Sequence, residues 1–293
     1  MTHHVAAGLD GSPESLAAAE WAAEEALLRR ASLRLVHAEE IAAGSAAPLV
    51  RPDVVRDWAD GILTEAAEEL RRRHPGLEIS TRRLTGRPAA ALAVDALDAD
   101  LLVLGSRGLG TVLGFLVGSV GMAAVGATER PVVLVRAADA RAGGPGRDRS
   151  GPYGEVLLGV DIHQSCDRLL AFAFDEAAHR GCTLRVVHAW TLPPVFSYAP
   201  VLDPGVQLEV GRTVAQSLSD MLTPWRLKYP SVHIVERAVI GPPARELVYA
   251  ADNADLVIVG RRVRRSPLGA HIGHVAHAVI HHCGAPVAVV AHE

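Results

Sequence analysis

Gly105, Gly108, Gly118 and Ser119 stand in the spacing G-x2-G-x9-G-S, within "GSRGLGTVLGFLVGSV" (105–120). These residue types and this spacing suit one task, holding an anion. Glycine has no Cβ, so its backbone can approach a ligand closely and can take positive φ. A helix N-terminus offers unpaired N–H groups and a partial positive charge, so anions settle there. A strand ending at Gly105 and a helix beginning near Gly118 would make a phosphate cradle of backbone N–H groups and the Ser119 hydroxyl. A Walker loop is excluded, because its Gly-Lys-Ser/Thr end is missing, and a dinucleotide fingerprint would follow the first strand of its unit. No catalytic triad, pair of acid/base carboxylates or metal-held water accompanies the glycines, so the expected chemistry is binding, with slow hydrolysis at most.

The same stretch raises a second possibility. No charged residue occurs from Gly108 to Thr128, and Gly110, Gly114 and Gly118 form a G-x-x-x-G ladder. About 20 apolar residues suffice to span a bilayer. The context excludes this, because the chain is duplicated. "VAAGLDGSPES" (5–15) matches "VLLGVDIHQSC" (156–166), and "LRLVHA" (33–38) matches "LRVVHA" (184–189), both at an offset of 151. "TGRPAAAL" (85–92) matches "IGPPAREL" (240–247), "ADLLVLGSRG" (99–108) matches "ADLVIVGRRV" (254–263), and "PVVLV" (131–135) matches "PVAVV" (286–290), all at an offset of 155. The counterpart of the apolar run is therefore Arg261 to His282, which carries four Arg and five His and cannot cross a membrane.

Elements that position the glycines follow from the alternation of short apolar runs with longer helical ones. In the first repeat, strands are expected near His4–Leu9, Leu33–Ala38, Leu77–Leu84, Leu101–Gly105 and Val132–Val135. Helices are expected near Glu14–Arg30, Asp53–His74, Pro88–Leu97 and Gly118–Ala127, with Ser12 capping the first and Pro13 at its first position. Leu101–Leu104 and Val132–Val135 are apolar on both faces, as buried parallel strands require. The pattern predicts an α/β protein of two tandem doubly wound, Rossmann-like domains with five-stranded parallel sheets. The first covers 1–137 and the second 154–293. The linker, 138–153, takes in most of the Gly-, Pro- and Arg-rich "AADARAGGPGRDRSGP" (137–152).

The 293 residues are 49% hydrophobic and 21% charged, enough to bury a core in each half. A formal net charge of -4 argues against indiscriminate nucleic-acid binding. The start, "MTHHVAAGLDGSP", has no basic n-region or long apolar h-region, so no signal peptide is expected. Cys166, Cys182 and Cys283 lack metal-type spacing and cannot all pair. They read as reduced thiols of a cytoplasmic protein. Cys166 falls near a helix start, a position that can lower a thiol pKa.

With its glycine spacing and "GLDGS" at the first strand end, the chain resembles the universal stress proteins in their tandem form. The family's signature, G-x2-G-x9-G-[S/T], is carried without a gap by Gly105, Gly108, Gly118 and Ser119. The resemblance spans both repeats. It implies ATP, or ADP or AMP, lying across the strand ends, with Mg as a possible companion. Gly105, Gly108, Gly118, Ser119 and Val120 would contact phosphate and ribose. Gly8, Asp10 and Ala38 would hold the adenosine, Ala38 through its backbone. The resemblance also implies dimer-forming self-association through the last strands, Val132–Val135 and Val287–Val290, which could also pair within the chain.

The second copy departs from the signature. Asp161, Gly260 and Gly273 are kept, but Val263 replaces the second glycine and His274 the hydroxyl residue. A β-branched residue at a point of close approach should cost affinity, although Arg261, Arg262, Arg264 and Arg265 could attract phosphate by charge. "HIGH" (271–274) follows the fourth strand rather than the first, and is read as coincidence. His274, His277 and His281 share a helical face, but no carboxylate or cysteine pair completes a metal set, and no metal site is assigned. "LPPVFSYAPVLDPG" (192–205) reads as a connector, lid or contact surface. The resulting expectation is an ATP-binding stress-response regulator whose nucleotide occupancy is the signal, with no membrane or nucleic-acid partner. An ATP-dependent hydrolase or transferase, and a nucleotide-independent scaffold, are the alternatives.

Overall fold

Each apolar run of the first repeat becomes a strand, and each amphipathic run a helix that covers it. In the computed structural model, residues 3–39, 52–106, 118–137, 154–191, 204–263 and 272–293 are described. They form two compact units.

The first unit runs β1 (His4–Gly8), α1 (Pro13–Arg29), β2 (Ser32–Glu39), α2 (Pro52–Arg73), β3 (Ile79–Thr85), α3 (Pro88–Asp95), β4 (Leu101–Ser106), α4 (Ser119–Ala127) and β5 (Val132–Arg136). The second runs β6 (Glu155–Gly159), α5 (Asp167–Arg180), β7 (Thr183–Trp190), α6 (Pro204–Lys228), β8 (Ile234–Ile240), α7 (Pro243–Ala250), β9 (Leu256–Arg262), α8 (His274–His282) and β10 (Val287–His292). Within the first unit the strand order is β3-β2-β1-β4-β5, and within the second β10-β9-β6-β7-β8. All the pairings within each unit are parallel. Both sheets are five-stranded and doubly wound, as the alternation predicts.

Local chemistry sets the helix ends. The Ser12 hydroxyl accepts the Ser15 N–H at 3.2 Å, Pro13 fills the first turn where no N–H is needed, and α1 ends at Arg30 in the left-handed region. Its inner face is alanine: Ala18, Ala19, Ala22, Ala23 and Ala26 are all buried. Side chains this small let α1 lie very close to the sheet. The opposite partners are larger, with Leu101 and Val103 of β4, on the same face as Gly105, fully buried. Each such side chain contributes about 1.5–3 kcal/mol by leaving water.

The described part of the charge-free run forms α4, nine residues long. Among the described residues no helix is long and apolar enough to cross a membrane. Gly108, Arg264, Arg265 and His271, the linker 138–153 and the stretch 192–203 lie outside the described residues. The last two residues of the Pro-rich stretch, Pro204 and Gly205, open α6.

Candidate functional site

In the first unit the chain turns one way from β1 to β2 and the other way from β4 to β5, so the strand order reverses between β1 and β4. Loops diverge above such a point and leave a crevice at the carboxyl ends of the strands. A cleft of about 390 Å³ opens there. Gly8, Asp10, Ala38, Gly105, Gly118, Ser119 and Val120 all line it, brought together from β1, β2, β4 and α4.

Each glycine has its own reason to be there. A Cβ on Gly8 would fall 2.5 Å from the Leu104 side chain on the neighbouring strand. A Cβ on Gly105 would fall 2.6–2.7 Å from the Glu14 carbonyl and the Ser15 nitrogen, all backbone of α1. Gly105 therefore serves the packing of α1 on β4, besides presenting its backbone to the cleft. Gly118 is different again: its φ of -57° is open to any residue, and a Cβ there would meet nothing within 4 Å. Neither glycine takes positive φ. As the N-cap of α4, Gly118 has no side chain to cap the first N–H groups of the helix, and no capping hydrogen bond is made there among the described residues.

Asp10 is exposed at the mouth and closes a turn. Its Oδ1 accepts the N–H of Ser12 at 3.0 Å and the Ser12 hydroxyl, while its own N–H donates to Ser15 Oγ at 3.3 Å. The carboxylate and three hydroxyls, of Ser12, Ser15 and Ser119, thus line the cleft together. The wall is apolar, with Val36, Leu92, Leu104 and Val120. No arginine or lysine is among the described lining residues. Such a cleft suits a ligand with an anionic end for the α4 N-terminus, hydroxyls for Asp10 and the serines, and a flat apolar part for the wall. The glycine spacing does not reveal Ser15, Pro88 or Leu92. The duplicated "RPAAAL" and "PPAREL" stretches carried a signal for the last two.

Behind the strand ends, the duplicated "VHA" has a shared structural role. The Nδ1–H of buried His37 donates to the Leu9 carbonyl at 2.8 Å, and that of buried His188 to the Val160 carbonyl at 3.1 Å. Each fixes the end of the first strand of its unit against the second.

In the second unit Asp161 repeats the turn, accepting the His163 N–H at 3.0 Å. Pro13 corresponds to Gln164, yet α5 starts only at Asp167. The place that the α1 backbone takes over Gly105 goes to the His292 imidazole over Gly260, with Nε2 2.5 Å from a would-be Cβ. His292 is tied by Nδ1 to the Ser165 carbonyl at 3.0 Å. Val263 donates its N–H to the His292 carbonyl at 2.7 Å, which prolongs the β9–β10 pairing. Gly273 caps α8 as Gly118 caps α4, with φ -59°, and His274 is exposed at the first helical position.

Cys166 is the N-cap of α5, as its position near a helix start suggests, but the thiol pKa moves upward, to about 11. Burial is the main cause, and the carboxylates of Asp167 and Asp161 add to it. The lowering that a helix start can give does not overcome them.

The universal stress protein family model matches residues 1–136 and 152–291. The chain is 32% identical over 295 residues to universal stress protein Rv2005c of Mycobacterium tuberculosis, covering 98% of this chain and 96% of that one. It is 34% identical over 295 residues to universal stress protein Rv2623 of the same organism, covering 98% and 95%. A universal stress protein from Archaeoglobus fulgidus superposes with a TM-score of 0.72 at 17% identity, covering 98% of both chains, and shares the fold.

Proposed function

The chain belongs to the universal stress protein family, and on that premise we propose that its first domain binds ATP and that occupancy of this site is a regulatory signal in the stress response. One observation carries the reading. Gly105, Gly118 and Ser119 of the motif line one cleft with Asp10, which precedes them by almost a hundred residues, at the reversal of strand order. The phosphates meet the open N-terminus of α4 and the Ser119 hydroxyl. The ribose hydroxyls face Asp10, and the adenine lies against Val36 and Leu92. ADP or AMP fits the same description with fewer phosphates, and Mg would accompany the phosphates rather than a protein carboxylate. The second domain, with Val263 and His274 in the motif and His292 over Gly260, binds nucleotide weakly or not at all. The protein acts in the cytoplasm and self-associates through β5 and β10.

The test is the nucleotide content of purified protein after denaturation, identified by mass spectrometry. Occupancy near one adenine nucleotide per chain supports the reading. Two per chain would overturn the assignment of a weakened second site. None, with no binding of added ATP, would leave the family fold without the nucleotide function.

A further inference from the structure

The cleft leaves the histidines of α8 unused. His277 and His281 are four residues apart, the separation at which two helical side chains lie over one another. Their ring centroids are 4.3 Å apart, with the planes tilted by 42°. His277 is exposed and His281 buried, so the pair reaches from solvent into the domain. The equivalent residues of the first copy are Met122 and Gly126, so this pair belongs to the second copy alone.

Two imidazoles at i and i+4 on one helix face can chelate a transition metal. For nitrogen ligands the affinity of divalent first-row ions rises to Ni2+ and Cu2+ and falls again at Zn2+, so Ni2+ and Cu2+ suit such a pair best. Among the described residues no group of three or more His, Cys, Asp or Glu side chains is placed to hold an ion, so the pair itself supplies the two ligands.

We propose that His277 and His281 form a two-histidine site for a divalent transition-metal ion of the Ni2+ or Cu2+ type. The site stands independently of nucleotide binding in the first domain. It gives the second domain, whose glycine motif is altered, a ligand of its own.

The experiment is calorimetric titration of untagged full-length protein with NiCl2. Because the chain has 14 histidines, variants are needed to locate the ion. One Ni2+ per chain is expected, bound more tightly than Zn2+. In His277→Gln the affinity should fall about a hundredfold, because a lone imidazole loses the effective concentration that chelation supplies. His277 is exposed, so this variant should melt like the parent in metal-free buffer; His281→Gln should lose the ion equally. Failure of the parent to bind Ni2+, or equal affinity in His277→Gln, would overturn the proposal.

Discussion

The backbone of Glu14 occupies the place where a side chain on Gly105 would begin: a Cβ there falls 2.6 Å from the Glu14 carbonyl carbon and 2.7 Å from its oxygen. Backbone in the first turn of a capped helix has little freedom to yield. Gly105→Ala should therefore lift α1 from the sheet and cost about 1–3 kcal/mol, the usual range for overpacking. At Gly260 the obstacle is the His292 imidazole, a side chain that can rotate away. Gly260→Ala should cost less. Melting midpoints of the two variants check the order; equal losses would mean that α1 can shift as easily as one histidine.

Gly118→Asp separates binding from folding. A Cβ at Gly118 meets nothing within 4 Å, and its φ of -57° suits any residue. Aspartate is also among the best N-caps and is favoured by the helix dipole. The melting temperature should hold or rise slightly. Nucleotide affinity should collapse, because the new carboxylate takes the N–H groups and repels phosphate. Displacement of a fluorescent ATP analogue reads the affinity; a variant that melts early would show that this helix end is less open than described.

These two glycines show what the sequence could and could not reveal. The strand–helix alternation and the duplication were enough for both sheets, because periodicity and composition are local properties. Element ends moved by a residue or two: β3 begins at Ile79 rather than Leu77, and α3 stops at Asp95 before a short 3-10 turn, Ala96–Asp98. The meeting of Gly8, Asp10, Ala38, Gly105, Gly118, Ser119 and Val120 was legible through the family signature. What Gly105 and Gly260 touch was not. Their neighbours are Glu14 and His292, brought there by the sheet and by the late start of α5, which no local spacing encodes. The thiol of Cys166 shows the same limit: its helix position is local, but the burial that raises its pKa is tertiary.

Alkaline solution should destabilise the second domain in a defined window. The Cys166 thiol is raised from 9.0 to about 11 by burial, then by Asp167 and Asp161. The Tyr229 hydroxyl is raised from 10.0 to about 12, by burial and by its 2.6 Å hydrogen bond to Asp175. Cys182 shifts upward too, chiefly through burial. Each group holds its proton longer folded than unfolded, so stability is full below pH 9 and falls as pH rises towards 12. Denaturation series across this range should show the decline, and Cys166→Ala should remove its earlier part. In native protein at pH 7.5, thiol reagents should reach Cys166 slowly, and faster once denaturant is added. Rapid native labelling would contradict the buried, protonated thiol.

A buried ion pair is repeated at the same place in both copies, and its two settings make a graded test. Glu25 pairs with Arg29 on α1, and Glu176 with Arg180 on α5, both at i and i+4 and at an offset of 151. Both glutamates are fully buried, but the Arg29 side chain is 13% exposed and that of Arg180 only 2%. Removing one partner of a buried pair strands the other charge and typically costs about 3–5 kcal/mol. Glu176→Ala should reach that range, because Arg180 has little route to water. Glu25→Ala should cost less, because Arg29 can turn its guanidinium outward. Replacing both Glu176 and Arg180 with methionine should restore much of the loss, since neither charge is then desolvated. Denaturant unfolding of the three variants decides the matter. If Glu176→Ala and the double variant were equally unstable, side-chain packing rather than charge pairing would be what α5 loses.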